Sequence, residues 1–337
     1  MRWISCIAIQ ASSTWNHDVS RIAFYPMPGN EARAKGIAQA LSTRADVGLG
    51  ACAVHHFPDG ESLVQVQPPE PGAQTVLVCT LNQPDAKTVP LLMAASTLRD
   101  LGAASVGLVA PYLAYMRQDK RFLPGQAISA QVYARWLSAH FDWLLTVDPH
   151  LHRIRALPQI YTLRSRVLRA APRMAAWIAA NVANPLIVGP DGESAQWAAD
   201  VAGRAGAPLV VLEKTRLGDK DVRVTVPDLR RHAGRTPVLI DDIISSGRTL
   251  VAALERLREA ATPPPVCVAV HGLFAGDALA AIRAAGAARV ACTDTVDHPV
   301  ENISLTVDLA LDVLAMHVQR QDARGLVLPD VAEGEAP

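Results

Sequence analysis

Short runs of valine, leucine and isoleucine recur along the chain, continuous rather than alternating with polar residues. Arg21–Tyr25, Thr75–Cys79, Ser105–Ala110, Trp143–Val147, Leu186–Val188, Pro208–Leu212, Pro237–Ile240, Val266–Val270 and Arg289–Cys292 each read as a strand. Continuous apolar strands are buried on both faces, as in a parallel sheet. Between them lie alanine-rich amphipathic segments. Ile128, Val132, Tyr133, Trp136 and Leu137 fall on one helical face, and Leu250, Leu254 and Leu257 form another. Strand–helix alternation of this kind predicts an α/β fold.

The two halves resemble each other. TVLVCT (75–80) leads into a helical stretch, Leu91–Leu101, and then SVGLVA; PVLIDD (237–242) leads into Thr249–Arg258 and then VCVAVHGLF. This pattern is one α/β unit used twice. The chain has 337 residues, and at roughly 150 residues per domain that also gives two. The expected division is an irregular extension over 1–20, a first unit over 21–158, a second over 159–320 and a tail over 321–337, with the linker near 155–165. QPPEPG (67–72) and TPPP (262–265) read as surface loops.

Composition narrows the function. Half of the residues are hydrophobic, and 32 basic residues balance 32 acidic ones, so a large core is expected without an electrostatic footprint for nucleic acid or an anionic membrane. No apolar run reaches the roughly 18 residues of a membrane span. The stretch Trp3–Ile9 is short and carries Ser5, so no export signal is expected. Cys6, Cys52, Cys79, Cys267 and Cys292 show no paired spacing and read as buried thiols of a cytoplasmic protein.

The strongest chemical signal is VLIDDIISSGRTLVAAL (238–254): a buried strand, two carboxylates, a small-residue turn and a helix. In open α/β sheets ligands bind beyond the carboxyl ends of strands. A turn opening a helix offers backbone N–H groups and a positive dipole end to a phosphate. Gly247 admits close backbone approach, Ser245, Ser246 and Thr249 add hydroxyls, and Asp241 and Asp242 sit one sugar's width away, able to accept from vicinal hydroxyls or hold Mg²⁺. An Asp-rich turn that merely caps a helix is the plain alternative. The first half has Asn82-Gln83-Pro84-Asp85 at this place, and its proline removes a donor, so no equivalent phosphate site is expected there.

This loop resembles the ribose-phosphate signature of the type I phosphoribosyltransferase fold. HFPDGES (56–62), PYLAYMRQDKRFLPGQAIS (111–129), DPHLHRI (148–154), GPD (189–191), LEKTRLGDKDV (212–222), VHGLFAGD (270–277) and TDTV (293–296) follow the order found in ribose-phosphate diphosphokinases, over about residues 21–315. Similarity is greatest to their archaeal-type branch. The resemblance implies two tandem phosphoribosyltransferase-like domains, and transfer of the diphosphoryl group of ATP to the C1 hydroxyl of ribose 5-phosphate, with AMP released. It implies Mg²⁺ as cofactor, with His150 and Asp191 as metal ligands. Lys214 and Arg216 match the basic residues of a mobile catalytic loop that also holds Gly218 and Asp219. Arg117, Gln118 and Asp119, with His150, match the ATP site. Phe57, Asp59 and Glu61 match an adenine loop often supplied by a neighbouring subunit, which implies a homo-oligomer, dimer or hexamer. Asp241, Asp242, Ser245, Ser246, Gly247, Arg248 and Thr249 match the ribose 5-phosphate cradle. Arg248 stands where many relatives have glycine, and Gly192-Glu193-Ser194 departs from the usual small-residue run. A phosphoribosyltransferase would share the cradle alone, and a non-catalytic regulatory relative would lack the basic pair.

Overall fold

The computed structural model describes residues 21–216, 222–225, 227 and 229–325. The expected extension over 1–20, Cys6, and Gly218 and Asp219 of the basic loop lie outside the described residues.

In the first sheet, β1 (Ile22–Pro26) is followed by α1 (Glu31–Leu41) and the short edge strand β2 (Val47–Leu49). A separate antiparallel hairpin follows, β3 (Cys52–His56) with β4 (Ser62–Val66). The chain returns through β5 (Gln74–Val78), α2 (Pro84–Asp100), β6 (Ser105–Ala110), α3 (Ser129–His140), β7 (Trp143–Val147) and β8 (Arg164–Leu168). The sheet order is β2-β1-β5-β6-β7-β8, all parallel. β5, β6 and β7 are buried along their whole length, as continuous apolar runs require.

Next come α4 (Ala171–Asn181), β9 (Pro185–Gly189), α5 (Ala195–Ala205) and β10 (Leu209–Val211). A two-stranded antiparallel ribbon, β11 (Glu213–Arg216) with β12 (Val222–Thr225), stands outside the sheet. The second sheet is completed by β13 (Thr236–Ile244), α6 (Arg248–Glu259), β14 (Val266–Gly272), α7 (Ala278–Ala284), β15 (Arg289–Thr293) and β16 (Glu301–Ile303); α8 (Thr306–Gly325) closes the described chain. Its order, β10-β9-β13-β14-β15-β16, is again all parallel. The expected internal repeat is therefore the topology: β5-α2-β6 and β13-α6-β14 hold the same places in two equivalent sheets.

Three expectations shift. β8 pairs with β7, so the first sheet ends at Leu168 rather than at the expected boundary of 158/159. α8 runs on to Gly325, past the expected start of the tail at 321, and packs on α1, β7 and β8 of the first unit. On α3 the buried stripe is Ala130, Tyr133, Ala134 and Leu137, whereas Trp136 is half exposed at the margin of the face. The two units also share a core. Ile22, Phe24, Leu145 and Val147 of the first sheet belong to one apolar cluster with Met174 and Ile178 of α4, Val238 and Ile240 of the second sheet, and Leu309 and Val313 of α8. Cys52, Cys79, Cys267 and Cys292 are free thiols, the last three buried. Among the described residues no helix is long and apolar enough to cross a membrane.

Candidate active site

The site is built where the carboxyl ends of β7 and β13 meet. Each strand is driven into its sheet by an apolar run, WLLTV and VLI, and each delivers polar residues as soon as the run stops. β7 delivers Asp148-Pro149-His150; β13 delivers Asp241 and Asp242 before turning through Ser245-Ser246-Gly247 into α6. His150 Nδ1 donates to Asp242 Oδ2 at 2.5 Å. This bond joins the first unit to the second at the chemistry-bearing end of both sheets.

The carboxylates at this end are unlike one another. Burial pushes Asp241 well above the usual carboxylate range, and the charges of Asp242 and then Asp191 push it further. Burial acts on Asp242 in the same direction, but the hydrogen bond and charge of His150 outweigh it and hold that carboxyl below its ordinary value. The Asp242 N–H donates to Asp241 Oδ1 at 2.9 Å, which fixes the spacing of the pair. Asp241 and Asp242 thus sit side by side in a half-buried corner within reach of the Asp191 charge, and a divalent cation or hydroxyl donors would relieve that repulsion.

In the turn, Gly247 takes φ +71° as N-cap of α6. A side chain there would be strained by that angle, and its Cβ would lie 3.0 Å from Ile282 Cδ1 of α7. The Ala275 N–H donates to Ser245 O at 3.0 Å and pins the turn to the loop after β14. The hydroxyls of Ser245, Ser246 and Thr249 have no hydrogen-bond partner among the described residues, and the first N–H groups of α6 point out of the helix end. Arg248 is exposed at the first turn. Together these groups offer donors that a small anion could accept.

The remaining expected residues fall into three groups. Arg117 lies close enough to Tyr112 and His271 for its charge to act on both, beside the Asp242 corner. Gln118 N ε2 reaches Gln126 Oε1 at 3.5 Å. Asp119 is buried and accepts from the Arg153 N–H at 3.1 Å and its guanidinium at 3.0 Å, so its carboxylate orders the DPHLHRIR turn from inside the protein. Arg153 is a residue that motif reading missed, because nothing in one sequence pairs it with Asp119.

Phe57, Asp59 and Glu61 sit at the tip of the β3–β4 hairpin. Phe57 N–H donates to Glu61 O, and Glu61 N–H to Asp59 Oδ1, a self-contained turn. The groove below the tip, about 500 Å³, is lined by His56, Gly60, Glu61 and Ser62 with Asp85, Ala86, Val89, Pro90 and Met93, and not by the 241–249 turn. Lys214 and Arg216 lie on β11, in a ribbon rather than an irregular loop, with Lys214 opposite Val224 and Arg216 opposite Val222. β12 of the ribbon lies against α6. Side-chain placement on the ribbon lies outside the described part. The first half's counterpart of the cradle is filled from within: Lys87 Nζ donates to Thr80 O at 2.9 Å and Asn82 Oδ1 at 2.6 Å, and Gln83 occupies the left-handed N-cap.

Mg²⁺ fits this corner on two observations. The hard carboxylate oxygens of Asp241, Asp242 and Asp191 suit it. His150 donates from Nδ1 to a carboxylate, the arrangement that orients a metal-bound imidazole and leaves Nε2 as the lone-pair nitrogen. Among the described residues no three His, Cys, Asp or Glu side chains gather around one point. The protein would therefore supply few ligands, with phosphate oxygens and water completing the shell.

Comparison with known proteins agrees with both halves. Residues 28–140 match the family described as the N-terminal domain of ribose phosphate pyrophosphokinase, and residues 160–308 match the phosphoribosyl transferase domain. The ribose-phosphate pyrophosphokinase of Methanopyrus kandleri is 33% identical, over 80% of this chain and 92% of that protein. That of Halobacterium salinarum is 34% identical, over 82% of this chain and 96% of that protein. The crystal structure of phosphoribosylpyrophosphate synthetase from Mycobacterium smegmatis superposes with a TM-score of 0.78 at 23% identity, covering 89% of this chain and 99% of that one, and so shares the fold. With both halves matched in order, and relatives aligned over nearly their whole length, the chain belongs to the ribose-phosphate pyrophosphokinase family.

Proposed function

We propose that the chain transfers the diphosphoryl group of ATP to the C1 hydroxyl of ribose 5-phosphate, in the cytoplasm, giving phosphoribosyl pyrophosphate and AMP. The observation that carries this reading is the bond between His150 and Asp242. It supports the reading because it ties the turn after β7, which would carry ATP, to the strand end before the 245–249 turn, which would carry the sugar phosphate. The C1 oxygen forms a bond to the β-phosphorus, the bond from that phosphorus to the α–β bridging oxygen breaks, and the electron pair leaves on AMP while the hydroxyl proton is lost.

Such transfers depend on positioning and on cationic stabilisation of spreading charge. Ser245, Ser246, Thr249 and the N–H groups opening α6 hold the 5-phosphate. Asp241 and Asp242 accept from the ring hydroxyls. Arg117 and Gln118 bind the triphosphate end, and Lys214 and Arg216 on the ribbon meet the migrating group. His150 and Asp191 would hold Mg²⁺, which would supply charge neutralisation for the polyphosphate. Phe57, Asp59 and Glu61 would take the adenine of a neighbouring copy's ATP, a reading favoured by the groove at the hairpin tip having no lining from the 241–249 turn, and the working form would then be a homo-oligomer.

A phosphoribosyltransferase would need only the second unit, and a whole matched N-terminal domain argues against it. The test is incubation with Mg-ATP and ribose 5-phosphate, followed by phosphorus NMR. AMP together with a new diphosphate ester is expected. ADP would indicate a simple kinase, and an unchanged spectrum a regulatory relative; either would overturn the reading.

A further inference from the structure

HGLF and TDTV are the two motifs to which the proposed reaction assigns no work, and the structure brings them together between the units. His271, on β14, is fully buried. Its Nε2 lies 3.3 Å from the carbonyl oxygen of Asp148, across the boundary, and its Nδ1 lies 2.8 Å from Thr295 Oγ1. A carbonyl only accepts, so Nε2 carries the proton and Nδ1 accepts from the threonine. Thr295 Oγ1 also lies 3.1 Å from Val270 O, but that carbonyl already accepts from Thr293 Oγ1 at 2.7 Å, and the shorter 2.8 Å contact takes the Thr295 hydroxyl proton to Nδ1. Tyr112 of the first unit stacks edge-on against the His271 ring at 5.0 Å and packs with Ile243 and Val296 of the second.

TDTV continues the connection. Thr80 Oγ1 donates to Thr295 O at 2.6 Å, and Arg33 donates to Asp294 O from Nε at 3.2 Å and Nη2 at 2.8 Å. The segment that receives the far end is strained. Asp148 has φ +27°, which is costly for a residue with a side chain. Such a conformation persists only when its surroundings over-determine it. Here Asp148 N–H donates to Leu168 O, Ala170 N–H donates to Asp148 Oδ2, and His271 takes the carbonyl. Two residues on, His150 bonds Asp242.

We infer that His271 is a positioning residue: its Nε2–H, aimed at the Asp148 carbonyl, holds the strained turn that sets His150 against Asp242, with Thr295 and Thr80 locking the ring from behind. This deepens the proposed reaction and rests on that reading for its effect on turnover, but its geometric content does not.

The test compares two amides at one position. In His271→Gln the amide nitrogen reaches the place of Nε2 and can still donate to Asp148 O. In His271→Asn the amide ends at the level of Nδ1 and cannot. With histidine labelled by ¹⁵N, the low-field proton of His150 Nδ1–H reports the bond to Asp242 directly. We expect it in the parent and in His271→Gln, and lost or shifted in His271→Asn. We also expect kcat for AMP formation to fall tenfold or more in His271→Asn and to stay within threefold in His271→Gln, with melting points of the two variants alike. An unmoved His150 resonance in His271→Asn, or equal loss in both variants in step with their melting points, overturns the inference. Should the His271 variants not fold, Thr80→Val against Thr80→Ser decides in the same way, because only serine keeps the donor to Thr295 O. A parent that makes no AMP refutes the proposed reaction, and the resonance still tests the geometry.

Discussion

Gly247→Ala is the sharpest perturbation of the cradle, because two separable effects act at one atom. The residue holds φ +71°, where an alanine costs about 1–2 kcal/mol. The new Cβ would also meet Ile282 Cδ1 at 3.0 Å and Ile282 Cγ1 at 3.3 Å. That neighbour is the end of a side chain rather than backbone, so it yields by a few tenths of an ångström and adds less than about 1 kcal/mol. The sum, about 2 kcal/mol, corresponds to a fall in melting temperature of roughly 4–8 °C at about 2–4 °C per kcal/mol. The functional loss should be larger than the stability loss, because the methyl group stands in the turn whose backbone meets the phosphate. A rise of tenfold or more in the KM for ribose 5-phosphate is expected, with the KM for ATP nearly unchanged. Ile282→Val in the same background separates the two effects: it relieves the contact but not the dihedral. The double variant should therefore lose less than the sum of the singles while the sugar-phosphate KM stays high. A melting point within 1 °C of the parent together with an unaltered sugar-phosphate KM would refute the reasoning.

Further outcomes follow from the same geometry. Lys214→Ala should lower kcat by about 10²–10³ and leave nucleotide binding nearly intact, since a cation on migrating charge acts mainly in the transition state; steady-state kinetics alongside nucleotide titration checks this, and unchanged turnover counts against the ribbon. Asp242→Asn removes a charged partner of His150 and a hydroxyl acceptor, so the sugar-phosphate KM should rise by roughly 10- to 100-fold; an unaffected KM and rate would remove Asp242 from the cradle. Burial lowers the His271 pKa to about 4, below its ordinary value of about 6.5. The folded state then binds fewer protons than the unfolded one, so this residue's stabilisation is complete above pH 6.5 and is lost as pH falls towards 4, by about 3 kcal/mol. The stability difference between the parent and His271→Gln should shrink or reverse between pH 7 and pH 4.5, as read from urea midpoints; a constant difference would show that the ring does not titrate in this way.

Much of this was legible in the sequence because the relevant physics is local. Strands buried on both faces announce themselves by continuous apolar runs: β6, β7, β13, β14 and β15 contain the expected segments, and β5 covers its own but for Cys79. The turn from β13 into α6 was legible for the same reason: strand end, carboxylates, turn and helix are contiguous. The hairpin β3–β4 and the edge strands β2, β8 and β16 were missed, because half-exposed strands such as RSRVL and ENI carry weak hydrophobic signals. β8, just past the expected boundary, is polar enough to read as linker, and only pairing with β7 makes it a strand. Arg153 with Asp119, and His271 with Asp148, depend on contacts between distant segments, which periodicity does not encode. HGLF and TDTV were visible as motifs, but their work is done across the boundary, where a linear reading has no partner to offer.

The shared core makes a last prediction and explains why the site can be divided between the units at all. A catalytic corner assembled from two separately hinged domains would need closure to align His150 with Asp242. Here the first sheet leans one face on elements that come later in the chain: α8 packs on β7 and β8, Arg166 pairs with Asp312 at 2.6 Å, and His317 bonds Gln74 at 2.9 Å. Cutting after Leu168 would strip α4 and α8 from a cluster that includes Ile22, Phe24, Val76, Leu145 and Val147. A fully buried side chain of this kind is worth about 1.5–3 kcal/mol, so losing even half of their cover costs on the order of 5 kcal/mol, comparable to the whole net stability of a typical domain. Residues 21–168 expressed alone should therefore be insoluble or bind a hydrophobic dye without a cooperative melt, while co-expression with 169–325 should restore a folded complex. A first half that melts cooperatively by itself would mean that the units are independent, and that the alignment of His150 with Asp242 comes from the polar contacts between them rather than from the common core.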